Sequence, residues 1–135
     1  MLIEVHPQST VPIYEQIVSQ VIFGVAAGGL VPGSLIPSVR DLAQRLLVHP
    51  NTVAKAFQEL ERRGVVSARR GIGMEVTADA PKLCHEQRQE IVRTQIRDAL
   101  RAAVSSALPA DAIRRLVEDE LNHVNGSTRS REKRS

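Results

Sequence analysis

A chain of 135 residues, 42% of them hydrophobic, has the apolar content for one ordinary domain or a small domain with an appendage, which excludes a wholly disordered polypeptide. One Tyr, two Phe and no Trp leave the core to Val, Ile, Leu and Ala, and they argue against an aromatic platform for stacking single-stranded bases. The net charge of +3 is a weak pointer, because the last ten residues supply it; the segment Ser38 to Gly73, with 7 basic and 3 acidic residues, is the more informative excess.

A single cysteine, Cys84, excludes an internal disulfide framework and suits a reducing compartment. No basic-then-apolar leader opens the sequence, and no apolar run approaches the roughly 20 residues of a membrane span. The expected location is cytoplasmic, with no membrane partner.

In chain order, "VPIYEQIVSQVIFGVAAGG" predicts a first helix, with Pro12 at its first position and Ile13, Ile17, Val21, Ile22 and Val25 on a buried face. Gly24 inside it points to close packing. "LVPGSLIPS" reads as a turn. Ser38 is a credible N-cap for a second, short helix, "VRDLAQRLL", and Pro50 opens a third that runs to Gly64. The inner face of the third is Val53, Ala56, Phe57 and Leu60. The period then changes: "VVSARR" and "MEVT" are short strand candidates joined by Gly71-Ile72-Gly73, a hairpin signal. Asp79 can cap a long helix reaching about Ala107. Leu108-Pro109 breaks it, and "ADAIRRLVEDELNHV" forms a last helix. The segment after Val124 has no apolar residue and is expected to be a disordered basic tail, 126–135.

The expected fold class is mostly α: a winged helix-turn-helix of three helices and a two-stranded wing at 1–77, then a two-helix dimerisation hairpin at 78–125. In such a module the third helix keeps one face for the core and offers the other to a DNA major groove. With Val53, Phe57 and Leu60 inward, Asn51, Thr52, Lys55 and Gln58 lie outward or toward the helix start. Arg40 opens the second helix, and Arg69 and Arg70 mark the hairpin tip, where glycine lets the backbone approach a duplex closely. A winged helix that docks a partner protein instead would favour aromatic and apolar anchors on that face.

The stretches "VPIYEQI", "PGSLIPSVRDLA", "HPNTVAKAFQELERRGVV" and "ARRGIG", in that order, resemble the winged-helix domain of GntR-family bacterial transcription regulators, over about Val11 to Thr77. "PNTVA" and the short C-terminal part look most like the YtrA branch, where two helices replace a larger effector domain. The resemblance implies a dimeric, sequence-specific DNA-binding regulator, a repressor, reading a palindromic operator. It implies base or phosphate contacts from Arg40, His49, Asn51, Thr52 and Lys55, and a minor-groove contact from Arg70-Gly71. Three departures stand out: Leu47 replaces a common turn glycine, Pro50 a common arginine, and Ile72 a basic residue between the wing glycines. A left-handed residue at the turn would therefore have to be strained.

On the C-terminal helices, Val92, Ile96, Ala99, Leu100 and Ala103 form one apolar stripe, and Ile113, Leu116, Val117 and Leu121 another. Together they exceed what one helix pairing covers, which points to a second copy of the chain. Cys84, His85 and His123 lack ligand spacing and are read as solvated polar positions, so no metal and no cofactor are expected. A small-molecule effector is left open. No nucleophile elbow, phosphate-binding glycine fingerprint or paired-carboxylate site supports catalysis.

Overall fold

A computed structural model describes residues 3–134, with side chains as far as residue 126. Seven elements follow in chain order: α1 (Ile13–Ala26), α2 (Val39–Leu46), α3 (Pro50–Arg62), β1 (Val66–Arg69), β2 (Gly73–Val76), α4 (Ala80–Ser105) and α5 (Ala110–Arg134). They fall into two compact units, one ending at Val92 and the other starting at Arg93.

The first unit is a winged helix-turn-helix. Its core joins Ile17, Val21, Ile22 and Val25 of α1, Leu42 and Ala43 of α2, and Val53, Ala56, Phe57 and Leu60 of α3 with Val65, Val66 and Val76 of the wing. Fully buried, each of the larger aliphatic side chains contributes about 1.5–3 kcal/mol. Helix α3 packs on both α1 and α2. Gly24 is explained by a close approach: a Cβ there would lie 3.3 Å from Leu30 Cδ1, and the Gly24 carbonyl accepts from both Gly29 and Leu30 as the helix ends.

The unit also includes the start of α4, past the boundary expected at residue 77. Ala80 and Cys84 are fully buried in the same core, and Arg63, the C-cap of α3, reaches Gln87 at 3.4 Å. Cys84 is therefore a core residue rather than a solvated position. Burial pushes its thiol up to about 11, so it stays protonated and inert at neutral pH.

Strands β1 and β2 pair antiparallel from Val66 with Val76 to Arg69 with Gly73, leaving Arg70-Gly71-Ile72 as the loop. "LVPGSLIPS" does more than turn. Leu35 bridges Glu75, and Gly33 N–H to Val76 carbonyl, Val76 N–H to Ser34 carbonyl and Ile36 N–H to Met74 carbonyl (2.8, 2.8 and 3.0 Å) pin it to the free edge of β2. Before α1, the chain from Ile3 is tied down by two glutamines. Gln16 accepts from the His6 N–H at 2.7 Å and donates to the Val11 carbonyl at 2.8 Å, while Gln20 exchanges hydrogen bonds with the Glu4 backbone. Pro12 stands one position before the first helical residue rather than in it.

The second unit holds the rest of α4 and α5. The turn between them places Ala107 at φ 67° before Pro109. The last helix runs through to Arg134 instead of ending near Val124. The missing apolar residues deny this segment a core, but Arg, Glu and Lys are good helix formers and no proline intervenes, so an established helix propagates through it. The tail's side chains beyond residue 126 lie outside the described residues.

Candidate nucleic-acid interface

The interface begins at the turn between α2 and α3. Ser38 caps α2, its hydroxyl accepting from the Asp41 N–H at 3.1 Å, and Arg40 follows as an exposed residue of the first turn. At the other end Leu47 adopts φ 56° and ψ 45°, a left-handed conformation with its side chain 91% exposed. The chain thus reaches the strained geometry at the position where the family's common glycine is replaced. Its N–H and that of Val48 close the helix on the Gln44 and Ala43 carbonyls.

Val48 and the extended His49 then lead into α3. The His49 ring is occupied: Nδ1 accepts the Asn51 N–H at 3.0 Å, making His49 the N-cap of α3. An imidazole that accepts at Nδ1 carries its proton on Nε2, so Nε2–H alone is left to face outward. Pro50 occupies the first turn, where its missing N–H leaves nothing unsatisfied. Asn51 and Lys55 are exposed; Thr52 is half-buried, with its N–H given to the His49 carbonyl at 3.0 Å.

Two candidates are tethered in ways that local sequence does not reveal. The Lys55 ammonium sits 4.0 Å above the ring of Tyr14, from the first turn of α1. Arg69 donates to Glu75 across the wing at 2.7 Å. With the Arg69 side chain more than half exposed the pair is worth little energy, but it orients Arg69 along the sheet rather than off the tip. Arg70 is exposed at the tip, and among the described residues neither it nor Arg40 forms an ion pair. Gly71, at φ 78°, makes the sharp reversal that an L-residue would resist, and Ile72 beside it is 62% exposed. At the far end of α3, Glu59 is clamped by Arg62 and Arg63, which hold its carboxyl down at about 2.

Arg40, Asn51, Lys55, Arg70 and Gly71 are therefore exposed, Thr52 is half-open, and His49 and Arg69 are partly committed to the fold. The array has hydrogen-bond donors, cationic groups and open backbone. Among the described residues, no group of three or more His, Cys, Asp or Glu is placed to hold a metal ion.

The family model for bacterial regulatory proteins of the gntR family matches residues 13–76, the whole of the winged helix from α1 to β2. The chain is also 30% identical over 129 residues to the HTH-type transcriptional repressor YtrA of Bacillus subtilis, covering 96% of this chain and 99% of that protein. The chain belongs to the GntR family. Among solved structures it is similar to a transcriptional antiterminator from Listeria monocytogenes, at 32% identity and a TM-score of 0.65, over 89% of this chain and 90% of that one. It is also similar to YtrA from Sulfolobus acidocaldarius, a GntR-family transcription factor, at 32% identity and a TM-score of 0.57, over 74% of this chain and 98% of that one. These likenesses place it in the YtrA-like branch, as a DNA-binding regulator of transcription. GntR-type relatives of this kind are regulators rather than enzymes.

In the second unit the apolar stripes lie open. Val92, at the end of the first unit, and Ile96, Leu100, Leu116, Val117 and Leu121 are between 38% and 54% exposed, and Ala99 is exposed as well. Ile113 is the exception, buried within its own chain, and Ala103 is half-buried. Val104, at 65%, adds a large exposed apolar side chain directly after Ala103. Among the described residues, α4 and α5 leave these side chains open rather than covering them.

Proposed function

We propose that the protein is a homodimeric, cytoplasmic repressor that reads a palindromic operator, with α3 in the major groove and the wing tip in the adjacent minor groove. The observation that carries this reading is the outer face of α3: its small polar and cationic residues Asn51 and Lys55 are exposed, while Val53, Ala56, Phe57 and Leu60 hold the opposite face to the core. Base edges are read by such donors, and phosphates by such cations. Arg40 meets a base or phosphate beside the helix start, and Arg70 enters the minor groove where Gly71 allows the backbone near it. His49 contributes through Nε2 while its Nδ1 caps the helix.

Dimerisation is supported by the open stripes of α4 and α5. Row-forming arginines Arg93, Arg97 and Arg101 flank Ile96, Leu100 and Val104 along a groove on α4. On α5, Glu120 sits among Leu116, Val117 and Val124 at helical spacings of three and four. The α4 stripe of one copy thus suits the α5 stripe of another in both polarity and charge. Two recognition helices related by a two-fold axis would meet half-sites about one helical turn apart. The sign of regulation follows the Bacillus subtilis relative, which is named a repressor.

Selection of duplexes from a random pool tests the reading. An enriched inverted repeat, bound by a species that sediments as a dimer, is expected. A non-palindromic consensus, or a monomer at micromolar concentration, would remove the two-fold model.

A further inference from the structure

The recognition helix carries a lysine held by an aromatic ring although an acid stands one turn away. Glu59 lies four residues after Lys55, the spacing at which helix ion pairs form. The pair is not made. Arg62 Nε donates to Glu59 Oε2 at 3.0 Å and Arg63 Nε to Oε1 at 2.8 Å, so both carboxylate oxygens face the arginines at the end and C-cap of α3. Lys55 Nζ sits instead 4.0 Å above the Tyr14 ring. Tyr14 is half-buried and packed against the core, and its hydroxyl reaches Glu15 at 3.2 Å, so the ring has a fixed seat at the start of α1.

We propose that Tyr14 is a positioning residue for DNA recognition: its ring aims the Lys55 ammonium outward from α3, while the Arg62–Arg63 clamp keeps Glu59 from neutralising it. An aromatic face attracts a cation through its quadrupole but leaves its charge intact. A carboxylate would cancel that charge and compete with phosphate. The ring also restricts a long, flexible stem before binding, so less freedom is lost when a phosphate is met. The proposal rests on the reading of α3 as the DNA-facing helix.

A double-mutant cycle on the selected operator, run across a salt series, tests it. Lys55→Met is expected to lower the steepness of the salt dependence by about 0.9, one phosphate contact. Tyr14→Leu is expected to weaken binding about fivefold, the scale of a surface cation–π contact, and to add nothing in the Lys55→Met background. Tyr14→Phe, which keeps the ring, should restore wild-type affinity. Arg62→Gln with Arg63→Gln supplies a second route at the helix surface: freeing Glu59 should weaken binding when Lys55 is present and have no effect when it is Met. Additive losses for Tyr14→Leu and Lys55→Met, or a Tyr14→Phe variant as weak as Tyr14→Leu, would overturn the proposal. Wild-type protein that fails to prefer the operator over unrelated DNA would instead overturn the DNA-facing reading beneath it.

Discussion

Replacing Leu47 by glycine should stabilise the protein, although it removes a large apolar side chain. Leu47 holds φ 56° and ψ 45°, and an L-residue in that conformation costs about 1–2 kcal/mol relative to the right-handed one. At 91% exposure its side chain contributes almost no burial, so little is lost with it. Glycine also frees the unfolded chain, which takes back about 0.5–1 kcal/mol. The net expectation is a gain of about 0.5–1 kcal/mol, or a rise of about 2–4 °C in Tm for a chain of this size. Thermal unfolding followed by circular dichroism reads it directly. Leu47→Ala is the control, because it removes the same side chain but keeps the strain; it should stay within about 0.5 kcal/mol of wild type. A Leu47→Gly protein that melts at or below the wild-type temperature would refute the strain argument.

Three further outcomes follow from the same geometry. His49→Ala removes the α3 cap and should cost about 1 kcal/mol in urea unfolding, whereas His49→Asn, which can still cap, should recover most of it. Glu59, held at about 2 against an ordinary 4.5, binds its proton more weakly folded than unfolded. The clamp's contribution is therefore complete above about 4.5 and is lost as the pH falls toward about 2, so wild type and Glu59→Gln should converge in stability over that window and differ above it. Cys84 should resist a thiol reagent at neutral pH until the protein is unfolded, and Cys84→Ser should cost about 1–3 kcal/mol by burying an unpaired hydroxyl.

The helices of the first unit were legible because their buried residues recur at the helical period. Ile17, Val21, Ile22 and Val25, and Val53, Ala56, Phe57 and Leu60, stand in the core where their spacing puts them. The wing was legible from its glycines and the change of period. What stayed hidden depends on partners far away in sequence. The Leu35 bridge to Glu75, the glutamine ties from α1 to the N-terminal segment, and the Tyr14–Lys55 contact join residues that no local pattern connects. The burial of Cys84 is not legible locally, because a cysteine between Leu83 and His85 reads as a solvated polar position, whereas it is a small apolar residue at the start of a helix that docks on the core. The cap on α3 is hidden as well, because imidazole is rarely preferred there, yet the His49 Nδ1 reaches the Asn51 N–H. For the candidate DNA contacts, residue type gave the chemistry, but exposure and tethering separate Arg40 and Arg70 from Arg69.

Sequence-specific recognition through Arg40, α3 and the wing is read most directly by a salt series of equilibrium binding to the selected operator and to a shuffled duplex. Wild type is expected to prefer the operator by about 10³-fold or more at physiological salt. Arg40→Ala and Arg70→Ala should each reduce that preference, by about tenfold for a lost base contact. Equal affinity of wild type for both duplexes, or a preference untouched by either substitution at every salt concentration, would contradict it.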